Sequence, residues 1–248
     1  MNINEYQNYH ETKAHTSAEF PYNTYLCSIP LDFPGVPLHW HDELELVVIK
    51  RGQGFVSVDF DKRLVHSGDI IIIPPRCLHA IEQDDTFKME YENIIFKPDL
   101  LSSGANDLCM IQYIVPLLDG SLPIEYFLTP ALGSFEALSN CIRQIDLVCA
   151  DQTPGWQLAV KSSLFNFLLI SERQKKTVST SSNSKSLEKM KTVLKYVENH
   201  YTEKLTIDDM AELTYYSKSH FMKFFKAHMG IGFTEYLNDY RLTMAARL

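Results

Sequence analysis

The sequence predicts an α+β protein: a small β-barrel with a helical hairpin, followed by an all-α helix-turn-helix domain. Three observations lead there. Between Leu38 and Phe96, short apolar segments recur at near-regular spacing with Gly, Asp and Pro between them, as in a barrel or jelly roll. Residues 131–173 hold two apolar stretches of helical period, broken once at Thr153-Pro154-Gly155. From Leu187 onward the period stays helical, with a tight break at Tyr215-Tyr216.

A chain of 248 residues suffices for two ordinary domains, and 45% hydrophobic with 22% charged residues is a globular composition. No apolar run reaches the length of a membrane span, and MNINEYQNYHETKAH lacks a signal-peptide core. Cys27, Cys77, Cys109, Cys141 and Cys149 form no CxxC pair and suit a reducing cytoplasm. The net charge of −8 argues against non-specific nucleic-acid binding by the whole chain. That charge is uneven. Residues 1–185 carry 14 Lys+Arg against 23 Asp+Glu, whereas residues 186–248 carry 9 against 8.

Residues 1–37 are an irregular lead with Pro21, Pro30, Pro34 and Pro37, in which Tyr22 to Ile29 can form a strand. HWHDELELVVIK is a strand that ends at a hairpin turn, Arg51-Gly52-Gln53-Gly54. FVSVDF, RLVH, IIII and AIEQ follow, with turns near Asp61-Lys62, at Ser67-Gly68-Asp69 and at Pro74-Pro75, and MEYENIIF adds a strand at 89–96. Residues 99–130 have no clear period. The first hairpin helix carries Leu138, Ile142, Ile145 and Val148 along one side, and the second carries Leu158, Leu164, Phe165, Leu168 and Leu169. Helices this apolar require a partner, either the barrel or a second copy of the chain. TVSTSSNSKS, residues 177–186, reads as a linker, so the expected division is 1–176, linker 177–186, and 187–248.

Thr206 with Asp209 forms a capping-box-like helix start, with Ile207, Met210 and Ala211 on one face. Ser217 caps the next helix, whose inward stripe is Phe221, Phe224 and Phe225, with Gly230 as its stop. Thr234 caps the last helix. Ser217, Lys218, Ser219, Met222, Lys223 and Lys226 are left facing outward near the start of the second helix. Such a surface suits a DNA major groove. Ser219, Met222 and Lys223 are the candidates for base contacts, and Ser217, Lys218 and Lys226 for phosphates.

Ala211, Ser217, Phe221, Lys223 to Lys226, Gly230, Phe233, Tyr236-Leu237, Arg241-Leu242, Ala245 and Leu248 together resemble the first helix-turn-helix and linker helix of AraC-type transcription regulators. The resemblance implies a cupin-like sensory domain, a small-molecule effector, double-stranded DNA as partner, and a homodimer through the helical hairpin; a barrel lined by polar residues would accept a sugar or another hydroxylated metabolite. Members of that family look like two helix-turn-helix units. This sequence holds the first unit and the start of the connecting helix, so a single reader would depend on dimerisation.

A second constellation lies in the front half. Gly35-x3-His39-Trp40-His41-x3-Glu45-x6-Gly52 resembles the first cupin motif, and Pro74-x4-His79 the second. Even spacing puts His39, His41 and Glu45 on one face of a strand. With His79 they would line an effector pocket, or hold a divalent metal such as Zn, Mn, Fe or Ni. Arg76 lies inside the second motif, where a cation close by would oppose a metal. No Ser-His-Asp or Cys-His arrangement emerges, so an enzyme is not expected. The rival readings are a metal-dependent cupin enzyme with a helical tail, and a sensory and dimerisation fragment without competent DNA binding.

Overall fold

The computed structural model describes the chain except residues 1–5, 8–9, 12–14, 105–106, 119–123, 174–181, 230 and 246–248. It divides into two compact units, one over 13–178 and one holding 2–12 with 179–248.

In the first unit the strands are β3 (Tyr22–Ile29), β4 (Gly35–His39), β5 (Leu44–Val58), β6 (Asp61–His66), β7 (Ile70–Ile73), β8 (His79–Gln83), β9 (Met89–Phe96) and β10 (Phe127–Leu128). Two short strands, β1 (Tyr6–Gln7) and β2 (His10–Glu11), pair with each other in the second unit. All pairings are antiparallel. β5 serves two sheets. Its first half lies between β7 and β9, with β10 beyond β7 and β3 beyond β9. Its second half lies between β6 and β8, with β4 beyond β8.

The hairpin turn expected at Arg51–Gly54 is not there. β5 runs straight through it, and the glycines mark the bend where the strand leaves one sheet for the other. Gly52 has φ +78°, the register slips between Ile49 and Arg51, and a Cβ on Gly52 would overlap the Lys88 carbonyl. The true two-residue turn is Asp59-Phe60, just ahead of the expected position, with φ of 47° and 68°.

Alternation along β5 explains why LELVVI is almost unbroken. Leu44, Leu46 and Val48 join Ile70, Ile72, Ile94 and Phe96 in a core shared with helices α2 (Phe135–Asp151) and α3 (Trp156–Glu172). Glu45, Val47 and Ile49 point the other way, into the barrel, opposite Ile73, Ile71 and Tyr91. Both faces are covered, so both sets are buried. Leu138, Ile142 and Ile145 of α2 and Leu164 and Leu168 of α3 face this core, while Val148 is partly buried against it. Leu158 and Leu169 do not: they are 74% and 48% exposed, and Phe165 is 37% exposed. Lys50 fastens α2 to the sheet through Glu92 (2.6 Å) and Asp146 (3.1 Å). The stretch without clear period holds a 3-10 turn at Pro98–Leu101, a π-helical turn at Met110–Ile114 and the short α1 (Val115–Leu118).

The second unit contains α4 (Ser182–His200), α5 (Ile207–Thr214), α6 (Lys218–Met229) and α7 (Phe233–Ala245). The first half of the expected linker, 177–181, lies outside the described residues. The second half, 182–186, is already helical, because serine is tolerated in the first turns of a helix whose apolar stripe follows. Met190, Val193 and Val197 of α4 are fully buried, as are Met210, Phe221 and Phe225. Arg241 on α7 donates from Nε to the Tyr201 carbonyl (2.8 Å), satisfying backbone left open beyond the end of α4. Gly230, the expected stop, lies outside the described residues. α7 starts at Phe233, one residue before the expected cap Thr234, with its first bond running from the Tyr236 amide to the Gly232 carbonyl.

Candidate functional site

Two places bring the expected site residues together, one in each unit. In the barrel, β4 ends at His39 and β5 begins at Leu44, so His39, His41 and Glu45 are not on one continuous strand as the even spacing suggests. They converge nonetheless, because the 40–43 bend returns His41 over the start of β5, and β8 brings His79 beside His39. Ring centroids are 4.0 Å apart for His39 and His79, 4.9 Å for His41 and His79, and 5.7 Å for His39 and His41. All four residues are at most 3% exposed.

Backbone carbonyls fix the tautomers. His39 Nδ1 is 2.9 Å from Pro37 O, His41 Nδ1 3.1 Å from Glu43 O, and His79 Nδ1 2.9 Å from Cys77 O. A carbonyl can only accept, so Nδ1 carries a proton in each ring, and Nε2 of a neutral ring offers its lone pair. His41 Nε2 lies 2.9 Å and His79 Nε2 3.2 Å from the same oxygen, Glu45 Oε2. Lone pairs at such distances require a shared cation between them, a proton or a metal ion. Burial alone would raise the Glu45 carboxyl, but where the shared cation is a proton, His41 and His79 donate to it, outweigh burial and hold the group well below the usual carboxylate range. Burial, reinforced by His79 and His41, holds His39 well below the usual imidazole range.

The three imidazoles can each offer a ligand atom, all within 4.8 Å of one another. The donor set fits a divalent ion: three lone pairs, one ionised carboxylate, and each outer ring nitrogen already held by a carbonyl. It fits a sugar-sized molecule less well, because the four groups already touch across the space they enclose. Arg76 does not oppose an ion here. Its side chain is 77% exposed and pairs with Asp42 at 2.9 Å, a turn of chain that φ +63° makes possible. His15, which the sequence did not single out, lies over the cluster with its ring 6.0 Å from His41 and is 9% exposed.

In the second unit Thr206 and Asp209 form the expected capping box. Thr206 Oγ1 accepts from the Asp209 amide (3.2 Å), and the Thr206 amide donates back to Asp209 Oδ2 (2.8 Å). α5 ends in a left-handed residue, Tyr215, with the Tyr216 amide bonded to the Ala211 carbonyl (2.8 Å). Ser217 Oγ then accepts from the His220 amide (3.3 Å) and starts α6. Phe221, Phe224 and Phe225 are buried, and Ser217, Lys218, Ser219, Met222, Lys223 and Lys226 are exposed. Besides the Ser217 cap, Lys218 is engaged within the unit: its Nζ pairs with Asp208 at 2.6 Å. Lys189 lies 3.8 Å over the Tyr216 ring, which also packs on His220.

Comparison with known proteins gives the same two-part division. Residues 29–168 match the AraC-like ligand binding domain, and residues 197–238 match the bacterial regulatory helix-turn-helix proteins of the AraC family. The chain belongs to the AraC family of transcription regulators. It is 26% identical over 214 residues to the HTH-type transcriptional regulator YbfI of Bacillus subtilis, covering 86% of this chain and 73% of that protein. With YdeC of the same organism it shares 25% identity over 245 residues, covering 95% and 81%. Among solved structures it is similar to fatty-acid-bound ToxT from Vibrio cholerae, at 10% identity and a TM-score of 0.44, covering 92% of this chain and 80% of that one.

Family membership makes this a ligand-responsive DNA-binding regulator rather than an enzyme, so the cupin-enzyme alternative falls. Among the described residues, no helix of the regulator is long and apolar enough to cross a membrane.

Proposed function

We propose that this regulator reads DNA with the exposed face of α6, and that its signal is received where His39, His41, Glu45 and His79 meet and a divalent metal ion seats. The observation that carries the sensory half is the set of fixed tautomers. Three carbonyls take the Nδ1 protons, which leaves Nε2 of His41 and of His79 against one carboxylate oxygen and all three rings able to offer Nε2 to an ion. Zn, Mn, Fe or Ni suits such ligands. The ion would supply a fixed positive charge joining β4, β5 and β8, and no reaction is assigned to it. A sugar or other hydroxylated metabolite would have to part Glu45 from both imidazoles, which favours the ion at this position.

On DNA, Ser219, Met222 and Lys223 are proposed to meet base edges, with Ser217, Lys218 and Lys226 on phosphates. Lys218 can reach a phosphate only by leaving Asp208, a weak exposed pair. A homodimer completes the reading. Leu158, Phe165 and Leu169 on α3 and Leu147 on α2 leave exposed apolar surface that a second copy would cover, and pairing supplies a second reader. The regulator would work in the cytoplasm. Signal and grip are linked only if the ion binds the DNA-competent arrangement with different affinity from the other.

The test is fluorescence anisotropy of the full chain on its own upstream DNA, after chelation and again with Zn, Mn, Fe or Ni restored. A change in DNA affinity of fivefold or more with one ion, on the order of 1 kcal/mol, and lost in His79→Ala, is expected. Identical affinity in all states would reject the cluster as the signal site.

A further inference from the structure

Tyr215 stands against every local preference. It occupies the left-handed position that ends α5, with φ 57° and ψ 39°, where glycine is favoured because a side chain there crowds the backbone. Tyr215 is 91% exposed, more than any other large apolar or aromatic residue among the described residues. The neighbouring Tyr216 shows what packing at this turn looks like: its ring lies 4.1 Å from His220 and 5.2 Å from Phe224, under the Lys189 ammonium. Tyr215 takes no part in that group. The Tyr215 amide closes α5, but folding gains nothing from the exposed ring that strains the position, and such outliers point to function.

The position is informative. Tyr215 lies between α5, the helix that crosses the DNA backbone in a helix-turn-helix, and the first turn of α6, which enters the groove. It precedes Ser219 by one helical turn's worth of residues. The groups beside it that carry positive charge are engaged, Lys218 by Asp208 and Lys189 by Tyr216. A phenol is a neutral donor on a rigid arm, suited to a phosphate oxygen at the lip of the groove.

We propose that Tyr215 is a DNA-positioning residue whose hydroxyl donates to a backbone phosphate beside the groove entered by α6. This rests on α6 as the reading helix. The test uses Tyr215→Phe and Tyr215→Gly in the full chain, with Lys223→Ala alongside, on the native upstream duplex and a scrambled one. Tyr215→Phe should weaken both duplexes by roughly tenfold, the scale of one hydrogen bond to a charged group. The salt dependence should not change, since no cation is lost. Tyr215→Gly should melt no lower than wild type and still bind more weakly, so that stability and affinity part company. Wild-type binding by Tyr215→Phe, or by Tyr215→Gly, would overturn the proposal. Failure of the α6 reading shows differently: Lys223→Ala would then bind both duplexes as wild type does.

Discussion

Divalent metal should raise the melting temperature of the front unit, and Glu45→Gln should remove most of that rise. The four donors are preassembled, since each imidazole is already turned by a carbonyl and Glu45 already sits between His41 and His79. Binding then goes almost wholly to the folded state. At free ion 100 times its dissociation constant, the stabilisation is about 2.7 kcal/mol. A domain the size of residues 13–178 gains about 2–4 °C per kcal/mol. The expected shift is therefore roughly 5–10 °C. Both tryptophans, Trp40 and Trp156, lie in this unit, so their fluorescence follows its melting alone. Glu45→Gln keeps the volume and exchanges the anionic oxygen for a neutral amide, and the shift should fall below half. An equal shift in wild type and Glu45→Gln would mean that ions bind elsewhere. No shift in wild type with Zn, Mn, Fe or Ni would refute the donor-set reasoning.

Other consequences are direct. Lys223→Ala should cost about 1–3 kcal/mol of discrimination between native and scrambled duplex in anisotropy titrations; equal weakening on both would make Lys223 a phosphate contact. Gly52→Ala forces a side chain into the Lys88 carbonyl at φ +78°, and should destabilise the front unit by about 3 kcal/mol in urea unfolding followed by tryptophan fluorescence. Leu158→Asp with Phe165→Asp should turn a dimer into a monomer in sedimentation equilibrium and leave a monomer that still unfolds cooperatively, because within one chain both side chains are exposed; an unchanged dimer would place the interface elsewhere.

The parts that were legible in the sequence are those where one local pattern had one physical solution. β3 and β9 fall where the apolar segments at 22–29 and 89–96 placed them, and the Thr206 box and Ser217 cap form as written. The Arg51–Gly54 stretch misleads because glycine serves both a hairpin and a sheet-to-sheet bend. Only the pairing of β5 with β9 on one side of it and β8 on the other distinguishes them. The cluster was found from its residue types, but for a partly wrong reason, since His39 and Glu45 belong to different strands. Arg76 looked adverse because its left-handed backbone, which aims the side chain outward, has no sequence signature. Tyr215 was hidden for the same reason: its sequence gives a turn, and only the backbone angles and the exposed ring show how little folding gains from a tyrosine there.

Sequence reading by α6 is tested most directly by anisotropy of the full chain against its own upstream DNA and a scrambled duplex, at two salt concentrations. Tighter binding to the native duplex is expected, with the ratio surviving at higher salt because base contacts through α6 do not depend on counterion release. Equal, salt-sensitive binding to both duplexes, or none, would contradict it.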